Sequence, residues 1–188
     1  ASDSPAPGGG SVAALCGALG AALASMVAGL TVGKEKYREN WEVMEKTGRK
    51  ATELCKTFEA LIQEDTTAFN TYMSALKMPK ETEEEKAARK EKMQQGLKEA
   101  AEVPLRTLEA CRDLEELALP AVAKGNPNAI TDGGTAALLA LAAGKAAAYN
   151  IRINLGGIKD EAFVSHTENR VRELLTAIEA RAKEIESL

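Results

Sequence analysis

The feature that most constrains this chain is an uncharged stretch near its start, PGGGSVAALCGALGAALASMVAGLTVG, at residues 7–33. Its apolar residues recur with a helical period and divide the helix into two opposite faces. One face carries the larger side chains, Leu15, Leu19, Leu23, Met26 and Leu30. The other face carries only small ones, Gly17, Gly20, Ala21, Ala24 and Ala28. A helix that is apolar all round is normally buried all round. We therefore predict a central helix around which the rest of the chain is wrapped.

An uncharged run of this length is also long enough to cross a membrane. Alanine and glycine make up most of it, however, and neither preceding basic residues nor aromatic residues at both ends accompany it. The opening ASDSPAP also lacks the positive charge of a secretory signal. We therefore expect no membrane span and a cytoplasmic protein.

Composition limits the class of protein further. With 188 residues the chain is long enough for one domain with its own core, so we expect residues 1–188 to form a single domain. A formal charge of −4 and an aromatic content of 4% argue against a nucleic-acid partner. Cys16, Cys55 and Cys111 are predicted to be reduced thiols that pack as small hydrophobic residues. A single histidine excludes a histidine-rich zinc site.

The second predicted helix follows a corner at residues 31–36, begins near Tyr37 and ends at about Met78. Asp65 interrupts its apolar stripe at a position whose spacing points into the core. A buried carboxylate is unfavourable unless it is paired or hydrogen-bonded. Asp65 is therefore either a functional group or an aspartate bonded to neighbouring backbone or hydroxyl groups.

The third predicted helix starts with a capping box formed by Thr82 and Glu85, is bent at Pro104, and ends near residues 120–125. A fourth helix is expected to be capped by Thr131 or Asp132. One of its faces carries small or amide side chains, namely Ala136, Ala140, Ala143, Ala147, Asn150 and Asn154. This face mirrors the small face of the first helix, so the two helices are expected to pack closely, with both asparagines in the contact and in need of partners.

A fifth helix from about Asp160 has one apolar face, and no segment alternates long enough to predict a strand. These elements predict an all-α, single-domain bundle of about five helices, with a buried Ala/Gly-rich central helix pair.

Several longer motifs resemble a known family. They are PAPGGGSVAALCGALGAALASMV, LTVGKEKY, DTTAFNTYMSALKMPKETEEEKAAR, VPL at residues 103–105, GNPNAITDGG and YNIRINL. Over nearly its whole length the chain resembles the cyclodeaminase domain of formiminotransferase-cyclodeaminase and the bacterial methenyltetrahydrofolate cyclohydrolases. The resemblance implies an all-α homodimer that carries out tetrahydrofolate one-carbon chemistry, without metal and with no cofactor beyond the folate substrate itself.

Two departures from the family pattern affect the expected reaction. The family usually has a short helix before the proline-glycine motif, whereas only ASDSPA precedes it here, so a truncated start is expected. No formiminotransferase domain accompanies the motifs, which favours the cyclohydrolase, converting methenyltetrahydrofolate and water to 10-formyltetrahydrofolate. The alternative is the cyclodeaminase, converting formiminotetrahydrofolate to methenyltetrahydrofolate and ammonia.

The resemblance assigns catalytic roles to Lys36, Asp65 and Asp132. An ammonium such as that of Lys36 serves as acid or base when burial lowers its pKa, and the alternative is a corner lysine in solvent. Either aspartate would balance the charge of the cationic folate carbon. The expected substrate-binding residues are Gly8, Gly9, Gly10, Ser11, Tyr37, Asn126, Gly133 and Asn154. Glycine-rich helix starts suit an anion such as the glutamate tail, Tyr37 would line the pterin, and Asn154 would orient pterin or water.

A further alternative of a different class is a non-catalytic helical dimer, such as a scaffold subunit. An acidic bundle with a seam of small residues fits that function as well. Asp65 on an apolar stripe and two asparagines on an alanine stripe fit it poorly, because a scaffold has no need of buried polar groups.

Overall fold

The computed structural model describes residues 3–188, which form an all-helical bundle without strands. Its five long helices are α1 (Gly9–Thr31), α2 (Trp41–Leu76), α3 (Glu83–Lys124), α4 (Ile130–Leu155) and α5 (Glu161–Glu186). Two short 3₁₀ segments, Glu35–Asn40 and Pro127–Ala129, precede α2 and α4. The predicted all-α class and the number of helices are confirmed.

The small face of α1 lies in the core, where α1 packs against α2, α3 and α4. At Gly20 the approach is so close that a Cβ atom would lie 3.1 Å from the backbone oxygen of Ala136 in α4. Gly17 is covered by the Phe58 ring of α2, which a Cβ atom would overlap. The predicted close packing of α1 on α4 is therefore confirmed at Gly20.

Helices α1 and α4 run antiparallel. Gly9, at the start of α1, lies beside Asn150 near the end of α4. At the other end, the Oγ1 atom of Thr31 accepts a hydrogen bond from the backbone N–H of Asn126, just before α4. The end of α1 and the start of α4 therefore lie together.

The opposite face of α1 is not buried within the chain, so the prediction of a helix buried all round is wrong for a single chain. The neighbouring helices cover only the small face, and large apolar side chains on α1 and α4 remain exposed. We call this surface the outer face; its residues are Val12, Leu15, Leu19, Met26, Leu30, Leu138, Tyr149 and Ile153, which are 40% to 77% exposed.

Within residues 3–188, α1 alone is long and apolar enough to cross a membrane, by length and composition. Half of its most apolar window is buried inside the bundle. This distribution is typical of a helix with one face in the protein core.

Several predicted helix ends are confirmed. The Oγ1 atom of Thr82 accepts a hydrogen bond from the Glu85 N–H at 3.1 Å, and the Glu85 carboxylate accepts one from the Thr82 N–H at 3.0 Å. The carboxylate of Asp160 accepts a hydrogen bond from the N–H of Phe163, in the first turn of α5. Helix α3 ends at Lys124, within the predicted range.

The predicted cap of α4 is wrong. Ala129 occupies the N-cap position without a side-chain hydrogen bond, and Thr131 and Asp132 lie inside the first turn. The reason is the 3₁₀ segment Pro127–Ala129, which leads directly into α4 and is itself capped by the Asn126 side chain. Likewise, Tyr37 lies in a 3₁₀ segment rather than in α2.

The close contact at Gly20 makes a stability prediction. Replacing Gly20 by leucine is expected to lower the free energy of unfolding by about 1–3 kcal/mol or more, because the side chain has no room against Leu114 and Ala136. Gly29→Leu is the matched control on the same helix, since a Cβ atom at Gly29 meets nothing within 4 Å. Denaturant unfolding measures both variants, and equal losses would contradict the proposed packing.

Candidate active site

One group of candidate residues surrounds the start of α1; we call Gly10, Ser11, Asp65, Asn150 and Asn154 the amino-end cluster. The Ser11 hydroxyl donates a hydrogen bond to the Asp65 carboxylate at 2.8 Å. Asp65 is half-buried and lies directly against Gly10, where any Cβ atom would overlap its carboxylate. A carboxylate at a helix N-terminus is stabilised by the free N–H groups and the positive end of the dipole.

The contacts of Asp65 agree with one of the two alternatives considered for it. Its carboxylate is bonded to a hydroxyl, as one of the two alternatives held, and it faces the glycine-rich start of α1. The chain's own carboxylate therefore takes up the space beside Gly10, part of the site predicted for a glutamate tail. Gly8 and Gly9 remain at least partly exposed.

The two asparagines of α4 complete the amino-end cluster. The Nδ2 atom of Asn154 donates hydrogen bonds to the backbone oxygens of Ala100 at 2.7 Å and of Asn150 at 2.8 Å. The Nδ2 atom of Asn150 donates to the backbone oxygen of Ala146 at 2.8 Å. Both amides therefore have partners, as predicted. Asn150 lies against α1 at Gly9, whereas Asn154 bonds to α3 rather than to α1.

A second group lies at the other end of the α1–α4 pair; we call Thr31, Lys36, Tyr37, Asn126 and Asp132 the carboxyl-end cluster. The Tyr37 hydroxyl donates a hydrogen bond to the Oδ1 atom of Asn126 at 2.8 Å. The Lys36 ammonium lies 4.6 Å from the centre of the Tyr37 ring, a cation–π contact, and the lysine is exposed. Asp132 and Gly133 lie in the first turn of α4.

The two clusters lie far apart in one chain. Helix α1 has 23 residues, so at about 1.5 Å per residue its ends are about 34 Å apart. The structure thus places Lys36 and Asp132 at one end of the helix pair and Asp65 and Asn154 at the other. A single chain does not bring all four candidates to one folate molecule.

The fold and these motifs match known proteins. A family model described as formiminotransferase-cyclodeaminase matches residues 1–173. The chain belongs to this family.

The relatives of this chain within the family include both cyclohydrolases and cyclodeaminases by name. A methenyltetrahydrofolate cyclohydrolase of Methylorubrum extorquens is 45% identical over 93% of this chain and 82% of its own length. A formimidoyltransferase-cyclodeaminase of Gallus gallus is 37% identical over 92% of this chain, which spans only 32% of that longer protein. The crystal structure of formiminotetrahydrofolate cyclodeaminase from Thermotoga maritima superimposes with a TM-score of 0.89 at 31% identity, over 99% of this chain and 89% of that one.

This family member also holds a buried acid that the sequence analysis missed. Glu115 in α3 is fully buried, and neither carboxylate oxygen has a hydrogen-bond partner within the described residues. Burial raises its pKa to about 8, with Glu116 and Glu186 acting in the same direction and Arg181 opposing them. Perturbed acids often mark active sites, but Glu115 lies in the core of the bundle rather than in either cluster.

The raised pKa of Glu115 predicts a pH-dependent stability. An acid with a pKa near 4.5 in the unfolded chain and near 8 in the folded chain is protonated in the native state at neutral pH. Because ionisation is easier in the unfolded chain, the contribution of Glu115 to stability is full below about pH 4.5 and is lost as the pH rises to about 8.

Glu115→Gln removes this ionisation. At pH 8.5 we expect the free energy of unfolding of the variant to exceed that of the parent by several kcal/mol, since one pKa unit corresponds to about 1.4 kcal/mol. At pH 4.5 the two free energies should be similar. Denaturant unfolding at both pH values measures the difference. Glu102→Gln is the control, because the Glu102 carboxylate is exposed on the same helix and does not contribute to the raised pKa of Glu115 within the described residues. A constant difference between Glu115→Gln and the parent at all pH values would contradict this assignment.

Proposed function

We propose that this family member is a methenyltetrahydrofolate cyclohydrolase. The observation that carries the proposal is the 45% identity to the Methylorubrum extorquens protein of that name, which extends over 93% of this chain. Formiminotetrahydrofolate cyclodeaminase is the second candidate, favoured by the likeness to the Thermotoga maritima structure. We also propose that the protein is cytoplasmic, acts on a folate, and has neither a nucleic-acid nor a membrane partner.

Both candidate reactions make similar demands on a site. In the hydrolase, water adds to the cationic methenyl carbon, loses a proton, and the bond from that carbon to N5 then breaks to give the 10-formyl product. In the deaminase, N10 attacks the formimino carbon and ammonia leaves. Each reaction needs a base for the attacking group, an acid for the departing nitrogen, and negative charge beside a cationic carbon.

We also propose a homodimer that is formed through the outer face. Its eight residues are large, apolar and at least 40% exposed, and they follow α1 and α4 from end to end. Contiguous apolar surface of this kind marks an interaction site. A second copy of the same face is a chemically matched partner, and a symmetric dimer is the commonest closed assembly.

Such a dimer would join the two clusters into one site. If the two-fold axis lies between the two outer faces, perpendicular to α1 and level with its middle, the two α1 helices run antiparallel, because such an axis reverses the direction of the helix. The amino-end cluster of one protomer then lies beside the carboxyl-end cluster of its partner. Each dimer holds two such composite sites, and each contains all four polar candidates.

In this composite site the residues have distinct roles. Lys36 moves the proton, Asp132 from the same protomer and Asp65 from the other supply negative charge near the cationic carbon, and Asn154 orients water or pterin. The Asn154 side chain suits this role because its Nδ2 atom is held by two backbone oxygens, which fixes the direction of its amide oxygen.

Parallel assays test the proposed reaction. Loss of methenyltetrahydrofolate absorbance and release of ammonia from formiminotetrahydrofolate are followed with the same enzyme preparation. We expect a higher kcat/KM for methenyl hydrolysis. Faster ammonia release would identify the chain as the cyclodeaminase, and no acceleration of either reaction would favour the scaffold.

The dimer is tested by charging its interface. Leu19→Glu, at the centre of the outer face, is expected to convert a species of twice the 19.9 kDa chain mass into a monomer and to abolish turnover. Leu188→Glu is the control, because Leu188 is also exposed but lies outside the outer face. Light scattering gives the mass of each variant, and activity measurements on the same samples show whether turnover depends on the dimer. An active monomer of the parent protein would exclude the composite site.

A further inference from the structure

Two hydrogen bonds, one to the backbone and one to the side chain of Asn126, connect the last turn of α1 to Tyr37. Thr31, the final residue of α1, is completely buried, and its hydroxyl donates to the backbone oxygen of Val27 at 2.7 Å. The same hydroxyl accepts a hydrogen bond from the backbone N–H of Asn126 at 2.8 Å. The hydroxyl of Thr31 thus joins α1 to the connection between α3 and α4.

Asn126 carries this connection onward through its side chain. Its Oδ1 atom accepts hydrogen bonds from the Tyr37 hydroxyl at 2.8 Å and from the Asn128 N–H at 3.1 Å. Its Nδ2 atom donates to the backbone oxygen of Leu30 at 3.2 Å. Asn126 is only 4% exposed, and both ends of its amide are engaged within the chain. The substrate-binding role expected of Asn126 from the sequence stays a prediction.

The 3₁₀ segment Glu35–Asn40 depends on few other contacts. Its 3₁₀ geometry is interrupted at Tyr37, whose φ and ψ are −116° and 18°. Besides the Tyr37 hydroxyl, the Asn40 amide joins this segment to the end of α3, where it donates to the backbone oxygen of Lys124 at 3.0 Å. The hydrogen bond to Asn126 therefore constrains the hydroxyl end of the Tyr37 ring, on which the Lys36 ammonium rests.

We propose that Thr31 and Asn126 are positioning residues that hold Tyr37 and Lys36 in place for folate turnover. This inference rests on the proposed function, since it concerns the same site. Neither residue needs to touch the folate. Thr31 fixes the backbone of Asn126, Asn126 fixes the Tyr37 hydroxyl, and the Tyr37 ring fixes the position of the Lys36 ammonium.

Thr31→Val tests the first step, with Thr107→Val as the matched control. Both threonines are buried in helices and donate to the backbone oxygen four residues earlier, but only Thr31 also accepts a hydrogen bond from another element. We expect Thr31→Val to lower kcat by about 10–100-fold with little change in KM. Thr107→Val should lower the melting temperature without lowering kcat, and Thr31→Ser, which keeps the hydroxyl, should restore kcat.

A double-mutant cycle with Tyr37→Phe tests the connection as a whole. Because Thr31 and Tyr37 act through the same Asn126, the double variant should lose no more kcat than the more impaired single variant. The inference is overturned if the losses multiply, if Thr31→Val keeps its kcat, or if Thr31→Ser fails to restore it. Failure of the proposed function is distinguishable, since the parent protein itself would then turn over neither folate.

Discussion

Lys36→Met is expected to lower the turnover of methenyltetrahydrofolate by about 10²–10⁴-fold, the usual loss when a general acid–base group is removed. Methionine is close to lysine in length and can still contact the Tyr37 ring, but it has no ionisable group. Because Lys36 is exposed and bonds to no other element within residues 3–188, the fold and the dimer should be unaffected. Steady-state rates on both folates, with circular dichroism, measure the effect.

Lys34→Met is the matched control for this experiment. Lys34 is an exposed lysine at the same corner, and it is the backbone oxygen of Lys34, not the ammonium, that accepts a hydrogen bond from Trp41. We expect this variant to keep near-normal rates. If Lys34→Met is impaired and Lys36→Met is not, the proton-transfer role belongs to the other lysine.

Asp132→Asn is expected to lower turnover by about 10²–10³-fold, through the loss of a negative charge beside the cationic carbon. The substitution preserves size, and Asp132 is partly exposed in the first turn of α4, so the expected change in stability is small. Asp113→Asn, which removes an exposed carboxylate on α3, is the control and should leave the rate unchanged. An Asp132→Asn protein with normal rates would leave Asp65 as the only acidic candidate.

The helix pattern was predictable from the sequence because it depends on local spacing. The close contact of Gly20 with Ala136 follows from two helices that each carry a stripe of small residues. The exposure of Leu19 was not predictable in the same way. An apolar face has the same sequence pattern whether another helix of the chain or a second protomer covers it.

The two acids Asp65 and Glu115 differ in how clearly the sequence pattern indicates them. Asp65 was noticed because its neighbours on the stripe are apolar, whereas Glu115 stands next to Glu116 in a helix rich in charge. The spacing of Glu115 four residues after Cys111, on the buried face of α3, was the available signal. The contacts of Asn126 depend on the ends of α1 and α3 meeting, which a turn motif alone does not specify.

We propose that each active site contains residues from two protomers, and mixing two variants tests this directly. Asp65→Asn and Asp132→Asn change the two clusters separately, so each homodimer has two defective sites. Dissociating the two variants together and reassociating them in equal amounts gives heterodimers in which one site has both substitutions and the other has neither. Recovery of about a quarter of the parental activity is predicted, since half of the dimers are heterodimers with one intact site of two. A mixture no more active than the separate variants would contradict the composite site.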